Sequence, residues 1–151
     1  TPWLDADEQR AWRGWLAVNA RLSAALHRDL QRHSDLSLPD FDVLVQLTES
    51  PEGRVRVSAL ATALEWDRSR VSHHVTRMQR RGLVDREECE DDARGSFVVG
   101  TAAGRAAIEA AAPGHVRTVR DLVLDPLTAT DLAALTRIDE RILARLDERT
   151  G

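Results

Sequence analysis

The stretch between residues 58 and 101 constrains the fold of this chain more than any other part of it. Two short amphipathic segments come first, and the second lies between Asp67, a good helix N-cap, and Gly82, which suits the position just after a helix. Two segments typical of strands follow, at 83–89 and 96–100, with a polar turn between them. This order predicts a helix, a turn, a second helix and a β-hairpin, the arrangement of a winged helix-turn-helix.

Amphipathic helices are predicted on both sides of this unit. Leucines and tryptophans recur at helical spacing through 6–32, and a second helix starts at Ser37, which has capping-box spacing with Asp40. After the hairpin, Thr101 caps a fifth helix, and Thr128 caps a last helix with one apolar stripe. We therefore predict a mainly α fold with a small β-wing, in which N- and C-terminal helices flank the winged helix-turn-helix.

Two local details complete the predicted regular structure. Residues 54–57 can form a short strand before the third helix, and Ser58 is the predicted cap of that helix. The fifth helix runs to about residue 124, and Pro113 inside it predicts a kink because proline removes a main-chain hydrogen bond.

The charge of the central unit is opposite to that of the chain. The whole chain has a net charge of −4, whereas the segment from Arg68 to Arg86 contains six arginines, two histidines and one carboxylate, Asp85. A basic surface on an acidic body is typical of a protein that grips nucleic acid at one place. Because a helix-turn-helix inserts its second helix into the major groove, we expect this unit to bind double-stranded DNA.

The predicted second helix of this unit has one apolar and one polar face. Val71, Val75 and Met78 fall together on a helical wheel and predict the buried face. The other side carries short polar side chains, histidine and arginine, which suit base edges and phosphates. The predicted DNA-binding residues of this helix are Arg68, Ser69, Arg70, Ser72, His73, Thr76, Arg77, Arg80 and Arg81.

Within that set we expect different roles. Arg70, His73 and Arg77 face the major groove in this interpretation, whereas the arginines nearer the helix end contact phosphates. At the tip of the hairpin, Arg94 is placed to enter the minor groove, and Asp92 is placed to orient it.

The two terminal regions have apolar stripes that a chain of 151 residues has few other elements to cover. Trp3, Trp12 and Trp15 lie near the stripe of the first helix. Pairing with a second copy buries such stripes economically, so we expect a homodimer. The predicted domains are an N-terminal dimerisation helix at 1–36, a DNA-binding lobe at 37–101 and C-terminal dimerisation helices at 102–151.

Several short motifs follow one another in a family-specific order. Leu60-Ala61 and Leu64 precede the run SRVSHHVTRMQRRGLV at 69–84, and then come DDAR at 91–94 and TAAGR at 101–105. From about residue 10 to 147 this progression resembles the MarR (multiple antibiotic resistance regulator) family of bacterial winged-helix repressors. The resemblance implies a homodimer with interlocked first, fifth and sixth helices, whose two lobes dock on successive major grooves of a pseudopalindromic operator. The chain departs from the pattern in an acidic wing, with Glu88, Glu90, Asp91 and Asp92.

The same resemblance implies a small effector, an aromatic acid or phenol, bound between the dimer body and the reading lobe. Its candidate lining residues in this chain are Trp15, Asn19, His27 and Trp66, with Arg68 as an anion partner. For each tryptophan, plain packing in the core is the alternative interpretation, and it is the commoner one.

Enzymatic, metal and redox functions find no support in the sequence. Phosphate-binding, dinucleotide-binding, nucleophile-elbow and zinc-protease motifs are missing, so we expect no catalytic residues and no cofactor. His73 and His74 are adjacent and point about 100° apart on a helix, which prevents them from sharing a metal ion. Cys89 lies between two glutamates, which disfavour a reactive thiolate.

A single cysteine, no apolar run of membrane-spanning length and no secretion leader favour a cytoplasmic protein, associated with the nucleoid when bound to DNA. Two other functions stay open from the sequence. One is a non-specific architectural DNA-binding protein, and the other is a dimeric interaction module without DNA binding.

Overall fold

The structure, a computed structural model, describes residues 1–88 and 95–150. Its elements in chain order are α1 (Ala6–His33), α2 (Leu38–Glu49), β1 (Arg54–Arg56), α3 (Val57–Leu64), α4 (Arg68–Arg80), β2 (Val84–Glu88), β3 (Ser96–Gly100), α5 (Ala102–Val119), a π-helical turn (Arg120–Leu124) and α6 (Ala129–Thr150). The predicted mainly α fold with a small wing is confirmed. The predictions for Cys89, for the acidic residues at 90–92 and for Arg94 fall outside the described residues.

Two compact units make up the chain, Thr1–His115 and Val116–Gly151. The core of the first unit forms where α2, α3 and α4 pack with the sheet. Val71, Val75 and Met78 are completely buried there, which confirms the predicted apolar face of α4. The helical spacing of these three residues therefore determines which side of α4 is left for other contacts.

A three-stranded antiparallel sheet has the order β1-β3-β2. Strands β2 and β3 form the predicted hairpin, with Val84 opposite Gly100 and Glu88 opposite Ser96. Strand β1 pairs with the outer side of β3, where Val55 lies opposite Val98. The short strand before α3 thus anchors the wing to the helical core, a pairing that the local sequence pattern does not reveal.

Most predicted helix ends are confirmed by hydrogen bonds. The Ser37–Asp40 capping box has both of its bonds, Asp67 Oδ1 accepts from the Arg70 amide at 2.7 Å, and Thr101 Oγ1 accepts from the Gly104 amide at 3.0 Å. The Ser58 cap is wrong, because α3 begins at Val57 and has no side-chain cap. The residue before it is held extended by pairing in the sheet, so the strand passes directly into the helix.

Gly104 allows α5 to approach the connection between α4 and β2 very closely. A Cβ atom at this position would lie 2.0 Å from the Leu83 carbonyl oxygen. The Thr101 hydroxyl donates a 2.6 Å hydrogen bond to the carbonyl of Gly82, the residue that ends α4 with a φ of +76°. The start of α5 is therefore locked to the end of α4.

The second unit contains the end of α5, the π-helical turn and α6. The helical stretch reaches Leu124, the predicted end, and it continues through Pro113, where the predicted kink stays a prediction. Thr128 and Asp131 form a capping box before α6. No residue of α6 is buried, although its apolar stripe is present as predicted.

Candidate nucleic-acid interface

The polar side of α4 divides into exposed and half-buried residues. Ser72 and Thr76 are half-buried. The exposed members of the predicted set are Arg68, Ser69, Arg70, His73, Arg77, Arg80 and Arg81. On a helical wheel, Ser72 and Thr76 lie at the edge of the polar side that faces the wing. Their position therefore agrees with their partial burial.

On the wing side, Arg86 of β2 holds α4. Its Nη2 donates to the Ser72 carbonyl oxygen at 2.7 Å and lies 3.1 Å from both the Ser72 Oγ and the Thr76 Oγ1. The Thr76 hydroxyl also donates to the Ser72 carbonyl at 2.9 Å. Ser72 and Thr76, predicted to contact DNA, thus have a structural role in joining the wing to α4.

Sequence reasoning missed this role of Arg86, although a signal was present. Arg86 lies two residues after Val84 in β2, and side chains two apart in a strand point to the same face. Since Val84 is completely buried, Arg86 points towards the core and α4. A buried-face arginine next to a polar helix is a good candidate for such a contact.

On the opposite side of α4, Asp40 of α2 holds the helix at two points. Asp40 is only 3% exposed, its Oδ1 lies 2.9 Å from His74 Nε2, and its Oδ2 accepts from Arg81 Nη1 at 2.7 Å. The second guanidinium amino group of Arg81 donates to the Asp35 carbonyl oxygen. Arg81, predicted to contact phosphate, is therefore bound to the protein itself, and sequence reasoning did not identify Asp40 as its partner.

The charge state of Asp40 follows from these contacts. Burial alone would raise its pKa, but hydrogen bonds from His74, from the Ser37 amide and from Arg81, together with the Arg81 charge, hold the pKa well below its usual range. Asp40 is consequently a carboxylate under all ordinary conditions. A buried anion between two helices is stable only with polar and charged partners, here the Ser37 amide and Arg81 at Oδ2 and His74 beside Oδ1.

Between these two contacts lies the part of α4 that faces outward, and we call Ser69, Arg70, His73, Arg77 and Arg80 its reading face. On a helical wheel they span about 100°, bounded by Thr76 on the wing side and by Arg81 on the α2 side. A shallow depression of about 380 Å³ is lined by Ser72, His73, Thr76, Arg77 and Arg80. In residues 1–88 and 95–150, the side chains of Arg80, His73 and the neighbouring Arg68 make no hydrogen bond or ion pair with the protein.

Two arginines of the reading face contact two aromatic rings that touch each other. The Arg70 guanidinium carbon lies 4.1 Å from the centre of the Trp66 ring, a cation–π contact. The Trp66 ring meets His74 edge-on at 5.5 Å, and Arg77 Nη2 lies 3.1 Å from His74 Nδ1. Trp66, a predicted effector contact, packs against the core and supports Arg70, in line with the packing alternative.

The base of the wing carries two further arginines that sequence analysis did not select. Arg54 and Arg56 lie over the Phe97 ring, 4.2 Å and 4.8 Å from its centre. Arg54 also pairs with Glu52 at 3.0 Å and with Glu87 at 3.3 Å, so its charge is largely neutralised. The alternation of β1 puts both arginines on one face of the sheet.

The other predicted effector residues occupy separate places on α1. Trp15 is 41% exposed, and the Asn19 side-chain amide donates to the Trp15 carbonyl oxygen at 3.0 Å. His27 Nδ1 accepts from the Leu38 amide at 3.4 Å. Among the described residues, no hydrogen bond or ring contact joins Trp15 or Asn19 to Trp66.

A half-buried pair of titratable groups is formed by His115 of α5 and Asp42 of α2. The His115 ring stacks on Phe41 with 4.3 Å between ring centres. Burial lowers the pKa of His115, against the opposing charges of Asp42 and Asp29, and burial raises the pKa of Asp42, against the charge of His115. These groups belong to α1, α2 and α5, and none of them is part of α4.

Comparison with known proteins identifies relatives over nearly the whole chain. A model of the MarR family matches residues 34–95. The structure of AbsC, a MarR family transcriptional regulator from Streptomyces coelicolor, is similar with a TM-score of 0.92 and 42% identity, covering 98% of this chain and 99% of AbsC. Sco3205, a MarR family regulator from the same organism solved in complex with DNA, gives 0.90 and 40%, covering 95% of this chain and 90% of Sco3205.

More distant structures share the fold. The PcaV transcriptional regulator from Streptomyces coelicolor, solved with its natural ligand, has a TM-score of 0.73 at 23% identity, covering 95% of this chain and 98% of PcaV. A search among curated protein sequences gave no match. With the helix-turn-helix, the wing and the flanking helices in the same order as in relatives of 40% identity and more, this chain belongs to the MarR family of transcriptional regulators.

Proposed function

We propose that this protein is a homodimeric, sequence-specific DNA-binding regulator, and that it acts as a repressor. The observation that carries the proposal is the reading face of α4, which presents arginines to solvent between two sets of contacts that hold the helix in place. Rigid placement of Arg70 and Arg77 suits hydrogen bonding to guanine edges, and Arg80 with Arg68 suits phosphates. The DNA complex of the relative Sco3205 supports the same use here.

Exposed apolar side chains on both terminal helices support dimerisation. The dimerisation regions in this proposal are 1–36 and 102–151, and the reading lobe is 37–101. Trp12 and Val18 of α1 are 53% and 62% exposed, and Leu143 and Leu146 of α6 are 56% and 54% exposed. Exposed apolar side chains that line up along a helix are typical of a protein interface. A two-fold dimer carries two copies of α4, which would read half-sites about 34 Å apart on a pseudopalindromic operator.

Release from DNA by a small aromatic or phenolic ligand is the regulatory part of the proposal. Trp15, Asn19 and His27 are the residues that we assign to its site, with Arg68 as anion partner and Trp66 as a packing residue at its edge. PcaV, which shares the fold, was solved with a natural ligand. In this proposal the protein is a regulator rather than an enzyme, and it acts in the cytoplasm at the nucleoid. No described helix is long and apolar enough to cross a membrane.

The test is competitive binding to DNA that flanks the gene, measured by fluorescence anisotropy. We expect the operator to bind about 10³-fold more tightly than a random duplex. Arg80→Ala should weaken binding and lower the slope of log affinity against log salt by about one unit, since one phosphate contact is lost. Arg105→Ala, which removes an exposed arginine of α5, is the matched control and should leave the slope unchanged.

Either alternative function gives a different result in the same assay. Equal affinity for operator and random duplex would identify a non-specific architectural protein. Absence of any binding to flanking DNA at low salt would identify an interaction module and would overturn the proposal.

A further inference from the structure

We propose that His74, held by Asp40, is a positioning residue for DNA reading that acts through Arg77. The inference rests on the proposed function and assigns a role to a buried side chain that does not itself reach the DNA. His74 lies at the edge between the buried side of α4 and its reading face. It is the buried residue through which α2 touches an arginine of the reading face.

Each ring nitrogen of His74 lies close to a polar group of another residue. Nε2 lies 2.9 Å from Asp40 Oδ1, and Nδ1 lies 3.1 Å from Arg77 Nη2. A guanidinium only donates hydrogen bonds, so Nδ1 has to be the acceptor and carry no proton. A ring proton is then placed on Nε2, the nitrogen that lies 2.9 Å from the Asp40 carboxylate.

Asp40 is well suited to hold this tautomer. Its Oδ2 is occupied by the Ser37 amide at 3.0 Å and by Arg81 at 2.7 Å, which leaves Oδ1 for His74. The carboxylate is therefore fixed in rotation and in charge by the capping box of α2. The same capping box that starts α2 thus determines which nitrogen of His74 faces Arg77.

The consequence for Arg77 is restricted motion. An exposed arginine has many rotamers, and one hydrogen bond from its guanidinium to a fixed acceptor selects those in which the remaining N–H groups point away from the core. The His74 ring also contacts Trp66, on whose face Arg70 lies. One buried imidazole therefore supports two of the three residues expected in the major groove, and we infer that it contributes to discrimination between bases.

Two substitutions separate the two polar contacts of His74. In His74→Gln the side-chain amide reaches the place of Nε2, so the donor to Asp40 is kept and the acceptor facing Arg77 is lost. In His74→Asn the amide oxygen reaches the place of Nδ1, so the acceptor facing Arg77 is retained. We expect His74→Gln to reduce the preference for operator over random duplex about tenfold and His74→Asn to restore part of it.

A double-mutant cycle decides whether the effect passes through Arg77. In an Arg77→Ala background, His74→Gln should cause no further loss of preference, whereas in an Arg80→Ala background the full loss should remain, because Arg80 does not contact His74. Equal losses in all backgrounds would overturn the inference and leave His74 a packing residue. A wild-type protein without any operator preference would instead refute the proposed function.

A second measurement uses only the wild-type protein, so it does not require that any variant folds. Nitrogen-15 NMR of the wild-type protein reports the protonation of each ring nitrogen of His74. From the contact of Nδ1 with the Arg77 guanidinium we expect a proton on Nε2 and none on Nδ1. A proton on Nδ1, in either a neutral or a charged ring, would overturn the inference, because that nitrogen could not accept a hydrogen bond from Arg77.

Discussion

Helices α4 and α6 are both amphipathic, yet their apolar faces differ in burial. Helix α4 buries Val71, Val75 and Met78 completely within its own unit, whereas α6 buries no residue at all. The apolar face of α4 is buried by contacts inside one chain. The apolar stripe of α6 stays exposed. A single chain therefore suffices to build the reading face, whereas the second copy that we propose would cover the stripe of α6.

The largest expected effect comes from removing the core contact of α4. Met78→Ala leaves a cavity under the reading face and should lower the free energy of unfolding by about 3 kcal/mol. Thermal or urea unfolding at constant protein concentration measures the loss. A loss below about 1 kcal/mol would mean that α4 is not held by its own core, and the contrast with α6 would fail.

A comparable effect is expected when the α2 contact of α4 is broken. Asp40→Asn removes a buried charge that pairs with His74 and Arg81, and should cost about 3 kcal/mol near neutral pH. Unfolding at pH 7 of the wild type and the variant checks this magnitude. The matched control is Glu148→Gln, which breaks the exposed Arg145–Glu148 pair and should change stability by less than about 1 kcal/mol.

The dependence of stability on pH has a definite sign for Asp40. Its pKa is lower in the folded state than its usual 3.8, so its stabilising contribution is complete above about pH 4 and is lost as the pH falls below that value. Asp40→Asn should remove this part of the acid dependence. An identical decline of stability with falling pH in wild type and variant would contradict the charge state assigned to Asp40.

A charge placed in the apolar stripe of α6 tests the other helix of the comparison. Ile142→Glu should weaken dimerisation about 100-fold, roughly 3 kcal/mol, because a carboxylate would be buried in the proposed interface. Analytical ultracentrifugation measures the shift from dimer to monomer. Arg141→Gln, at the neighbouring exposed position, is the control, and a dimer that tolerates Ile142→Glu would contradict the role of α6.

The smallest effect concerns the end of α4. Gly82 has a φ of +76°, a conformation that a side chain makes unfavourable, and Gly82→Ala should cost about 1 kcal/mol without changing the association state. Gly14, where an added Cβ meets nothing within 4 Å, is the control, and Gly14→Ala in α1 should not destabilise the protein. Equal effects of the two substitutions would show that the end of α4 is not strained.

Short-range patterns were sufficient for much of the fold. Period and cap signals gave the buried face of α4, the Asp67 cap and the Gly82 end, because neighbours along the chain determine these features. The Ser58 cap failed because pairing in the sheet holds the residues before α3 extended. The partners of Arg81 and Arg86 depend on elements far away in sequence, and a local pattern shows that these arginines are polar without showing that they hold α4 in place.

The central claim is that the exposed arginines of α4 read DNA as a symmetric pair. Hydroxyl-radical footprinting of the flanking DNA tests it most directly, with wild type and Arg77→Ala in parallel. We expect two protected patches whose centres lie about 34 Å apart, one turn of the duplex, and loss of both patches together in the variant. A single patch, continuous protection, or the same two patches in Arg77→Ala would contradict it.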